Sequence, residues 1–479
     1  MREMKDKKTF ISREKAYELL FLVFVFVFLF VWAMKAPLNA SPDEEMRYRL
    51  TNYIVEHGEL PDGRDPEIRN PQWGISYAFK PYTSCIVSAG FGWLTTLFTD
   101  DFDIYYKSMR LTNVLFGTLL AFVALRLGKR LFEKEKAWFF AVLVTFLPGA
   151  AFLHTYQNMD SLALLATAWI FYCWVRAVQE GWTGKVCVQL GLAMSLCVMS
   201  YYNAYGFLLC SALLFAGMML KCGEQQWNYQ EMLKKGFFML AIVFLFTGWW
   251  FIRNGIMYDG DILGMTVSDH YAEMYAIPEL KPSNRETPQA IGMSLPYMLF
   301  WKPETWQYNW MGTVVASFIG MFGFMDIFMP EIWTKAYVVF FALGAAGNLF
   351  CIRKYFFVAN RDLGEERIKD EKGELIIRRY RKEKVWNSMN LLRLCLLIAV
   401  IIPVILLLYY AYASDFQAQG RYIMPGLLPI MYFITLGYET WLDRLIKSER
   451  AKRIFFRVSS VLLAASCVLV YGMVYAPNY

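Results

Sequence analysis

Long apolar runs constrain this chain more than any other feature of its sequence. The first of them, LLFLVFVFVFLFVWAM at residues 19–34, contains no charged residue. About 20 such residues cross the hydrocarbon core of a bilayer, and ten further runs of similar character follow. The sequence therefore predicts about eleven membrane-spanning helices, near residues 17–36, 108–128, 137–153, 159–177, 184–201, 203–221, 236–253, 333–352, 390–411, 421–439 and 455–475.

The composition agrees with a chain dissolved in lipid. Of the 479 residues, 57% are hydrophobic and only 19% are charged, which is unlike a soluble domain of this length. The predicted fold class is all-α, a single membrane-embedded polytopic bundle over 1–479. The N-terminal run is long enough to span and no small-residue cleavage site follows it, so we expect a retained helix and not a cleaved signal peptide.

Lysine and arginine near the span ends predict the orientation. Six basic residues precede the first span and eleven lie in 353–384, so we expect the N-terminus and the basic loop 353–388 to be cytoplasmic. Loops 37–107 and 254–332 then lie outside. The net charge of +7 reflects this bias, and the sequence gives no reason to expect a nucleic-acid partner.

Several classes of function are excluded by missing patterns. The nine cysteines form no C-x-x-C pair, and the three histidines form no H-E-x-x-H motif. A P-loop, a G-x-G-x-x-G motif and an internal repeat are also absent. The sequence therefore indicates neither a cysteine-based metal site, nor an ATPase, nor a dinucleotide enzyme.

The first outer loop is predicted to hold interfacial helices. Met46, Leu50, Tyr53 and Ile54 recur at helical spacing, which favours an amphipathic helix along the membrane surface. Residues 60–74 are rich in turn formers, and residues 75–98 are predicted to form a second helical segment. Loop 254–332 shows interfacial aromatic clusters without a clear strand pattern. The basic loop is predicted to form a small hairpin around Lys372 and Gly373.

The stretch SPDEE at 41–45 has two interpretations. Ser41 suits a helix N-cap, and Glu44 three residues later completes a capping box. Alternatively, Asp43 and Glu44 supply a general base or a hard-cation ligand at the membrane surface. Arg47 lies four residues after Asp43, so a local ion pair is a further alternative.

Three cations lie at unexpected outer positions, since the bias of span ends is to place basic residues inside. These are Lys80, Arg253 and Arg421. Arg253 and Arg421 either extend along apolar neighbours such as Trp249 and Trp250 or pair with Asp415 and Glu304. Alternatively, all three bind the phosphate of a lipid-linked substrate, for which arginine is well suited.

The segment HTYQNMDSL forms a short outer turn before a span. Asn158 or Asp160 is suited to cap the helix that follows. An ionisable Asp160 at the start of a membrane helix also requires polar surroundings. These residues, together with Tyr156, belong to the same outer face as Asp43 and the three cations.

At these residues the chain resembles the GT-C superfamily of integral-membrane glycosyltransferases, which use polyprenyl-phosphate sugars. In a bacterial branch the first outer loop begins P-D-E-x-x-H, and here Pro42 to Arg47 match with arginine in place of the histidine. FKPYT partly matches an E-K-P-P-L-like stretch, with Phe79 in place of the acid. QNMDS, WFIRN and QGRYIMP resemble the superfamily's N-x-D, W-x-x-R-N and Q-G-R-Y-x-x-P elements.

The resemblance implies a helical bundle capped by interfacial helices. It also implies transfer of a sugar from a polyprenyl phosphate of the undecaprenyl class to a glycan, teichoic polymer, lipid or protein outside the bacterial cytoplasmic membrane. It implies Asp43 as general base with Glu44 assisting. The donor phosphate would contact Lys80, Arg253 and Arg421, and the sugar or acceptor would contact Tyr156, Asn158 and Asp160. A divalent metal ion, where one is used, would be held by Asp43.

Two other functions use the same residues. A transporter or flippase for a lipid-linked envelope precursor needs similar cations, but its polar groups would continue through the bilayer. A ligase or polymerase of preassembled glycans differs only in donor size. Because the charged residues gather at one face and mid-span charges are scarce, the sequence favours the glycosyltransferase.

Overall fold

The computed structural model describes residues 13–220, 229–357, 359–360, 363–369, 375–381 and 385–479. Most of them are helical. The basic N-terminal residues 1–12 and residues 221–228, on which part of the predicted orientation rests, lie outside the described residues. So do residues 370–374, which contain the predicted turn at Lys372 and Gly373.

Nineteen α-helices are found in the described residues. They are α1 Arg13–Ala33, α2 Glu44–His57, α3 Thr83–Thr96, α4 Phe102–Met109, α5 Leu111–Leu131, α6 Lys134–Thr145, α7 Pro148–Leu153, α8 Asp160–Glu180, α9 Gly184–Val198, α10 Gly206–Met219, α11 Tyr229–Met257, α12 Met265–Tyr275, α13 Leu295–Phe300, α14 Trp310–Gly320, α15 Glu331–Gly347, α16 Ile352–Phe356, α17 Ser388–Ala413, α18 Leu427–Leu445 and α19 Glu449–Val470.

Short strands and single helical turns complete the described chain. The strands are β1 Met321–Phe322, β2 Ile327–Phe328, β3 Ala359–Asn360, β4 Leu363–Lys369, β5 Leu375–Arg381 and β6 Val385–Trp386, paired antiparallel as β1–β2, β3–β6 and β4–β5. The pairing of β4 with β5 forms the predicted hairpin in the basic loop. The β1–β2 hairpin in loop 254–332 was not indicated by the sequence.

Eight helical stretches of the described chain are long and apolar enough to cross a membrane. They are Arg13–Ala33, Phe102–Leu131, Asp160–Glu180, Tyr202–Met219, Tyr229–Met257, Glu331–Phe356, Ser388–Ala413 and Glu449–Asn478. The polytopic all-α fold is thus confirmed, whereas the number of eleven is not. The other three predicted spans correspond to α6 with α7, which Pro148 separates, to the 15-residue α9, and to α18, whose second half carries charged residues.

The most buried span is α8, which packs between α5 and α9 at the centre of the bundle. The outer faces of α11 and α19 carry exposed apolar side chains, as expected for surfaces in contact with lipid. Helices α15 and α18 approach very closely at Gly344 and Gly437. A Cβ atom on Gly437 would lie 1.7 Å from the Gly344 carbonyl oxygen, so only glycine permits this crossing.

Loop 37–107, the predicted first outer loop, forms a layer over one end of the bundle. The amphipathic helix predicted there is α2, which buries Met46, Leu50 and Tyr53 and packs on α3. Residues 60–74 contain no helix or strand, and α3 lies within the predicted segment 75–98. This layer carries Asp43 at the first end of α2.

Candidate functional site

The backbone at the start of α2 differs from the predicted capping box. Asp43, not Ser41, is the N-cap residue, and it adopts a left-handed conformation with φ of 62° and no side-chain cap. Aspartate is one of the few non-glycine residues that tolerate this region. The amide of Glu44 donates to the Ser41 carbonyl at 3.3 Å. The Asp43 carboxylate is therefore not occupied by capping.

The Asp43 carboxylate pairs with Arg421 instead. Arg421 Nη2 donates to Asp43 Oδ2 at 2.8 Å, and both side chains are mostly buried. Arg421 lies on the 3₁₀ turn Gly420–Gly426, which leads into α18. Of the partners that the sequence suggested for Arg421, Asp415 instead accepts a hydrogen bond from Gln417. The structure thus joins the first outer loop to the Q-G-R-Y element.

Arg47 is the second guanidinium beside Asp43. It is 2% exposed, and its guanidinium carbon lies 4.1 Å from the centre of the Tyr77 ring. Arg47 Nε and Nη1 have no hydrogen-bond partner, and the same two atoms of Arg421 have none. Buried polar atoms are nearly always satisfied. Four unpartnered nitrogens on two adjacent arginines therefore indicate a site for a polar ligand or water.

The carboxylate and the two arginines influence one another electrostatically. Burial raises the pKa of Asp43, but the charges of Arg421 and Arg47, together with hydrogen bonds from Arg421 and Tyr77, outweigh burial, so this pKa lies below its ordinary value. Asp43 is therefore ionised at neutral pH. Burial lowers the pKa of Lys80, and the charges of Asp269 and Asp43 oppose this effect while that of Arg47 adds to it. Because its charge interacts with those of Asp43 and Arg47, Lys80 lies near this group of residues.

Glu44 occupies a different environment from Asp43. It is fully buried and pairs with Arg110, whose Nε and Nη2 donate to its two carboxylate oxygens at 2.7 and 2.8 Å. The backbone amide of Gln157 also approaches Glu44 Oε1, at 3.3 Å. Arg110 donates further hydrogen bonds to the carbonyls of Ala33, Ala36 and Pro37. The pair therefore holds the end of α1 against the start of α2.

The turn before α8 contains both structural and unsatisfied groups. Asn158 Oδ1 accepts from the Ser161 amide at 2.9 Å, while its Nδ2 donates to the carbonyls of Leu153 and Tyr156. Asn158 therefore satisfies the Ser161 amide in the first turn of α8, as a capping side chain does, although the N-cap residue is Met159. This corresponds to one of the two alternatives from the sequence. Asp160 differs, because its buried Oδ1 has no partner and its charge interacts with those of Arg47 and Arg421.

Tyr156 faces a small cavity beside Arg421. The cavity has a volume of about 30 Å³, and its wall includes Pro42, Phe152, Tyr156, Gln419, Arg421 and Met424. A space of this size holds a water molecule or one small substituent. Tyr156 and Arg421 therefore line a common opening in the bundle, next to the proline that precedes Asp43.

Arg253 is anchored to the first outer loop. Its Nη2 donates to the Pro61 carbonyl at 2.7 Å, and its guanidinium lies 5.3 Å from the Trp250 ring. The stacking on Trp250 corresponds to the alternative in which this cation lies along an apolar neighbour. The contact with Pro61 connects α11 to the turn-rich segment 60–74.

The residues around Asp43 do not fit a divalent cation. Two guanidiniums, those of Arg421 and Arg47, lie beside Asp43 and repel a metal ion, although the charge of Asp160 also interacts with Asp43. Across the described residues, a group of three metal-ligating side chains with suitable spacing is found only at Glu56, His57 and Glu67, all exposed at the far end of α2. The guanidiniums beside Asp43 therefore disfavour a metal ion at this carboxylate.

The sequence does not predict two parts of this site, the pairing of Arg110 with Glu44 and the position of Tyr77. Arg110 lies at the edge of the predicted span 108–128. An arginine at the edge of an apolar run is the only feature of the sequence that points to an internal ion pair. Tyr77, under the Arg47 guanidinium, carried no signal beyond its closeness to Lys80. Arg47 itself was recognised as a neighbour of Asp43, but not as a cation with unpartnered nitrogens.

Comparison with known proteins agrees with this fold. The family model for dolichyl-phosphate-mannose-protein mannosyltransferases matches residues 88–250. The archaeal oligosaccharyltransferase AglB from Archaeoglobus fulgidus, in complex with an inhibitory peptide and a dolichol-phosphate, has 12% identity and a TM-score of 0.54 over 95% of this chain and 56% of its own. ArnT from Cupriavidus metallidurans, bound to undecaprenyl phosphate, has 12% identity and a TM-score of 0.51 over 95% of this chain and 70% of its own.

The apo oligosaccharyltransferase of Archaeoglobus fulgidus is also similar, with 13% identity and a TM-score of 0.52 over 98% of this chain and 56% of its own. No curated protein sequence matches the chain. The chain is a polytopic membrane protein with the fold of these glycosyltransferases. The family-model match over residues 88–250 and the shared fold agree with the resemblance predicted from the motifs, and the chain spans little more than half the length of AglB.

Proposed function

We propose that this protein transfers a sugar from a polyprenyl-phosphate donor, of the undecaprenyl-phosphate class, to a cell-envelope acceptor outside the cytoplasmic membrane. One observation carries the proposal: two buried arginines with four unpartnered nitrogens flank an ionised carboxylate. This combination suits transfer from a phosphodiester to a hydroxyl nucleophile, because the cations stabilise the leaving phosphate and the carboxylate accepts the hydroxyl proton. The solved structures of similar fold that contain dolichol-phosphate and undecaprenyl phosphate support a lipid phosphate as the ligand.

The arginines would bind and stabilise the phosphate. Arg421 uses only Nη2 on Asp43, so its Nε and Nη1 remain free to donate, as do those of Arg47. Charge-assisted hydrogen bonds of this kind are the strong ones. As the glycosidic bond breaks, the phosphate gains negative charge, and fixed cations in a water-poor site stabilise that charge. Lys80 would add a third positive charge.

Asp43 would act as the general base. It accepts the proton of an acceptor hydroxyl while the acceptor oxygen bonds to the anomeric carbon. The bond from that carbon to the phosphate oxygen breaks, and polyprenyl phosphate leaves with the bonding electrons. Pairing with Arg421 weakens Asp43 as a base. Binding of phosphate to Arg421 would loosen the pair and so raise the basicity of Asp43 when the donor is present.

The remaining predicted residues take different parts in this proposal. Glu44 would act through Arg110 to hold Asp43 in place, since both of its oxygens are occupied. Asp160, with its unpartnered oxygen, and Tyr156 would contact hydroxyls of the sugar or acceptor. Asn158 would support them by capping α8. Arg253 would contribute mainly by fixing residues near Pro61, and a direct contact with phosphate stays a prediction.

The location of the reaction follows from the predicted orientation. With the N-terminus in the cytoplasm, the loop that carries Asp43 lies on the outer face of a bacterial cytoplasmic membrane. A lipid-linked donor suits this place, because nucleotide sugars are cytoplasmic. The sugar and the nature of the acceptor are left open by this proposal.

The test is a transfer assay on purified protein in nanodiscs. Wild type, Asp43→Asn and Arg421→Ala are incubated with a panel of radiolabelled undecaprenyl-phosphate sugars and a crude envelope fraction. Asp62→Asn is the matched control, since Asp62 lies in the same loop and pairs with Arg64 at 2.6 Å. We expect transfer by wild type and Asp62→Asn, and its loss in the other two variants.

Two results would overturn the proposal. Transfer that survives in folded Asp43→Asn removes Asp43 from the chemistry. Absence of transfer by wild type with every donor, combined with saturable donor binding that depends on Arg421, would indicate a transporter instead.

A further inference from the structure

A second polar cavity lies at the opposite end of the bundle from Asp43. It has a volume of about 300 Å³ and lies among the C-terminal end of α5, α16, the first turns of α17 and the second half of α18. Helix α5 begins next to Arg110 and ends at this cavity. Its 21 residues rise about 30 Å at 1.5 Å per residue. The cavity is therefore separate from the site around Asp43.

The charged groups at this cavity leave an excess of positive charge. Arg130 pairs with Glu180 at 2.8 Å, Glu439 with Lys136, and Asp443 with Lys452 at 2.7 Å. Two further basic side chains, Lys354 and Arg393, also line it. Within the part of the chain that the structure describes, neither of them has a carboxylate partner. An anion would thus find two uncompensated cations here.

Arg393 is held in place before any ligand binds. Its guanidinium lies 4.6 Å from the ring centre of Tyr355. Its Nε donates to the Tyr432 hydroxyl at 2.9 Å, and its Nη1 donates to Asn390 Oδ1 at 2.6 Å. The remaining nitrogen, Nη2, is left for an incoming group. A preorganised donor loses little conformational freedom on binding.

Exposed apolar side chains flank the two cations. Leu394, 36% exposed, directly follows Arg393, and Phe357, 64% exposed, lies three residues after Lys354. A free phosphate would gain nothing from these side chains, whereas the acyl chains of a lipid would cover them. The cavity also lies at the end predicted to face the cytoplasm, where basic pockets between spans commonly bind anionic lipid head groups.

We propose that this cavity binds the phosphate head group of an anionic membrane lipid, with Arg393 and Lys354 as its cations and Phe357 and Leu394 against its acyl chains. The ligand differs from the donor proposed above, and the cavity lies at the other end of α5. The proposal therefore stands independently of the catalytic one.

The test measures lipid binding to the full chain in detergent by native mass spectrometry. Phosphatidylglycerol is titrated into wild type and Lys354→Ala, with phosphatidylcholine as the neutral lipid. Arg353→Ala is the matched control, because it removes the same charge from the adjacent exposed residue outside the cavity. We expect saturable phosphatidylglycerol binding that Lys354→Ala weakens about fivefold and Lys354→Ala with Arg393→Gln weakens roughly thirtyfold, whereas Arg353→Ala leaves it unchanged.

Lys354 has an exposed side chain, so its variant also tests the proposal if the Arg393 variant does not fold. Equal binding of phosphatidylcholine and phosphatidylglycerol would overturn the proposal, as would equal weakening by Arg353→Ala. Glycerol phosphate provides the last arm. If it competes as well as the lipid does, the cavity binds a free phosphate compound and the lipid proposal is wrong.

Discussion

Asp43 and Arg421, 378 residues apart in the chain, form an ion pair with a 2.8 Å contact between Oδ2 and Nη2. Asp43 offsets part of the positive charge that the donor phosphate would meet on Arg421, and Arg421 occupies one oxygen of the carboxylate that the acceptor hydroxyl would need. The pair is a resting arrangement that would loosen when the donor phosphate binds the unpartnered nitrogens of Arg421.

Asp43→Asn should separate binding from turnover. Removal of the carboxylate frees Arg421, so we expect tighter binding of undecaprenyl phosphate, while transfer falls by about 10²–10⁴-fold through loss of the base. Binding is measured by ligand-induced thermal stabilisation and turnover by the radiolabel assay. Asp62→Asn should change neither. Weaker lipid-phosphate binding in folded Asp43→Asn would contradict this competition.

Arg47→Gln should weaken donor binding. The variant removes a buried cation with two unpartnered nitrogens, and hydrogen bonds to charged groups contribute about 1.5–3 kcal/mol each, so we expect the KM for the donor to rise roughly tenfold or more. The matched control is Arg49→Gln, two residues further along α2, whose partner is the half-buried Glu45. If both variants change the KM equally, Arg47 has no specific part in donor binding.

Glu44→Gln should destabilise the protein far more than Glu45→Gln. Glu44 belongs to the buried pair with Arg110, and breaking a buried ion pair costs about 3–5 kcal/mol. Glu45 pairs with Arg49 at the surface, where such pairs contribute less than about 1 kcal/mol. Denaturant-induced unfolding in detergent gives both free energies. Equal values for these adjacent residues would show that the Arg110 pair does not hold the loop.

The contribution of Asp43 to stability should depend on pH in a defined direction. Its folded-state pKa is lowered, so the stabilisation is complete above the unfolded value of about 3.9 and is lost as pH falls through the folded pKa. We expect the stability difference between wild type and Asp43→Asn to be constant from about pH 7 to pH 5 and to change only below about pH 4.

Asp415 provides the control of opposite sign for this measurement. Burial raises its pKa, partly opposed by the Gln417 hydrogen bond and the Arg285 charge. Ionised Asp415 therefore costs stability at neutral pH. The free energy of unfolding of Asp415→Asn, relative to that of wild type, should be higher at pH 7 than at pH 4. The same pH dependence for both variants would contradict the assigned shifts.

Transfer should not depend on a divalent cation, because Arg421 and Arg47 occupy the surroundings of Asp43. Treatment with EDTA, followed by dialysis, should leave the rate unchanged. The exposed group Glu56, His57 and Glu67 serves as the check: its triple alanine variant should also keep wild-type activity. A loss in EDTA that Mg²⁺ or Mn²⁺ restores would contradict this prediction.

The sequence predicts the fold class and the α2 layer because both depend on local hydrophobic pattern. Apolar runs identify spans whatever their neighbours are, and the spacing of Met46, Leu50 and Tyr53 identifies the buried face of α2. The number of spans is less predictable. Pro148 divides one apolar run into α6 and α7, and hydropathy does not register such a break.

The candidate site is predictable in its members but not in its contacts. Topology places Asp43, Asp160 and Arg421 on one face, yet it does not specify which acid an arginine meets. Glu44 and Arg110 are 66 residues apart, and their pairing depends on how α5 packs against α1. The left-handed backbone at Asp43 likewise requires the tertiary structure, because the local sequence favours an ordinary capping box.

The two ion pairs of the outer layer also differ in when they become available during synthesis. Arg110 is synthesised 66 residues after Glu44, so loop 37–107 is able to fold while most of the chain is not yet synthesised. Asp43 meets Arg421 only after 378 further residues have been added. A nascent chain thus has both members of the Glu44–Arg110 pair early, and both members of the Asp43–Arg421 pair only near the end of synthesis. Incompletely inserted protein therefore exposes Asp43 without the guanidinium that would bind the lipid phosphate.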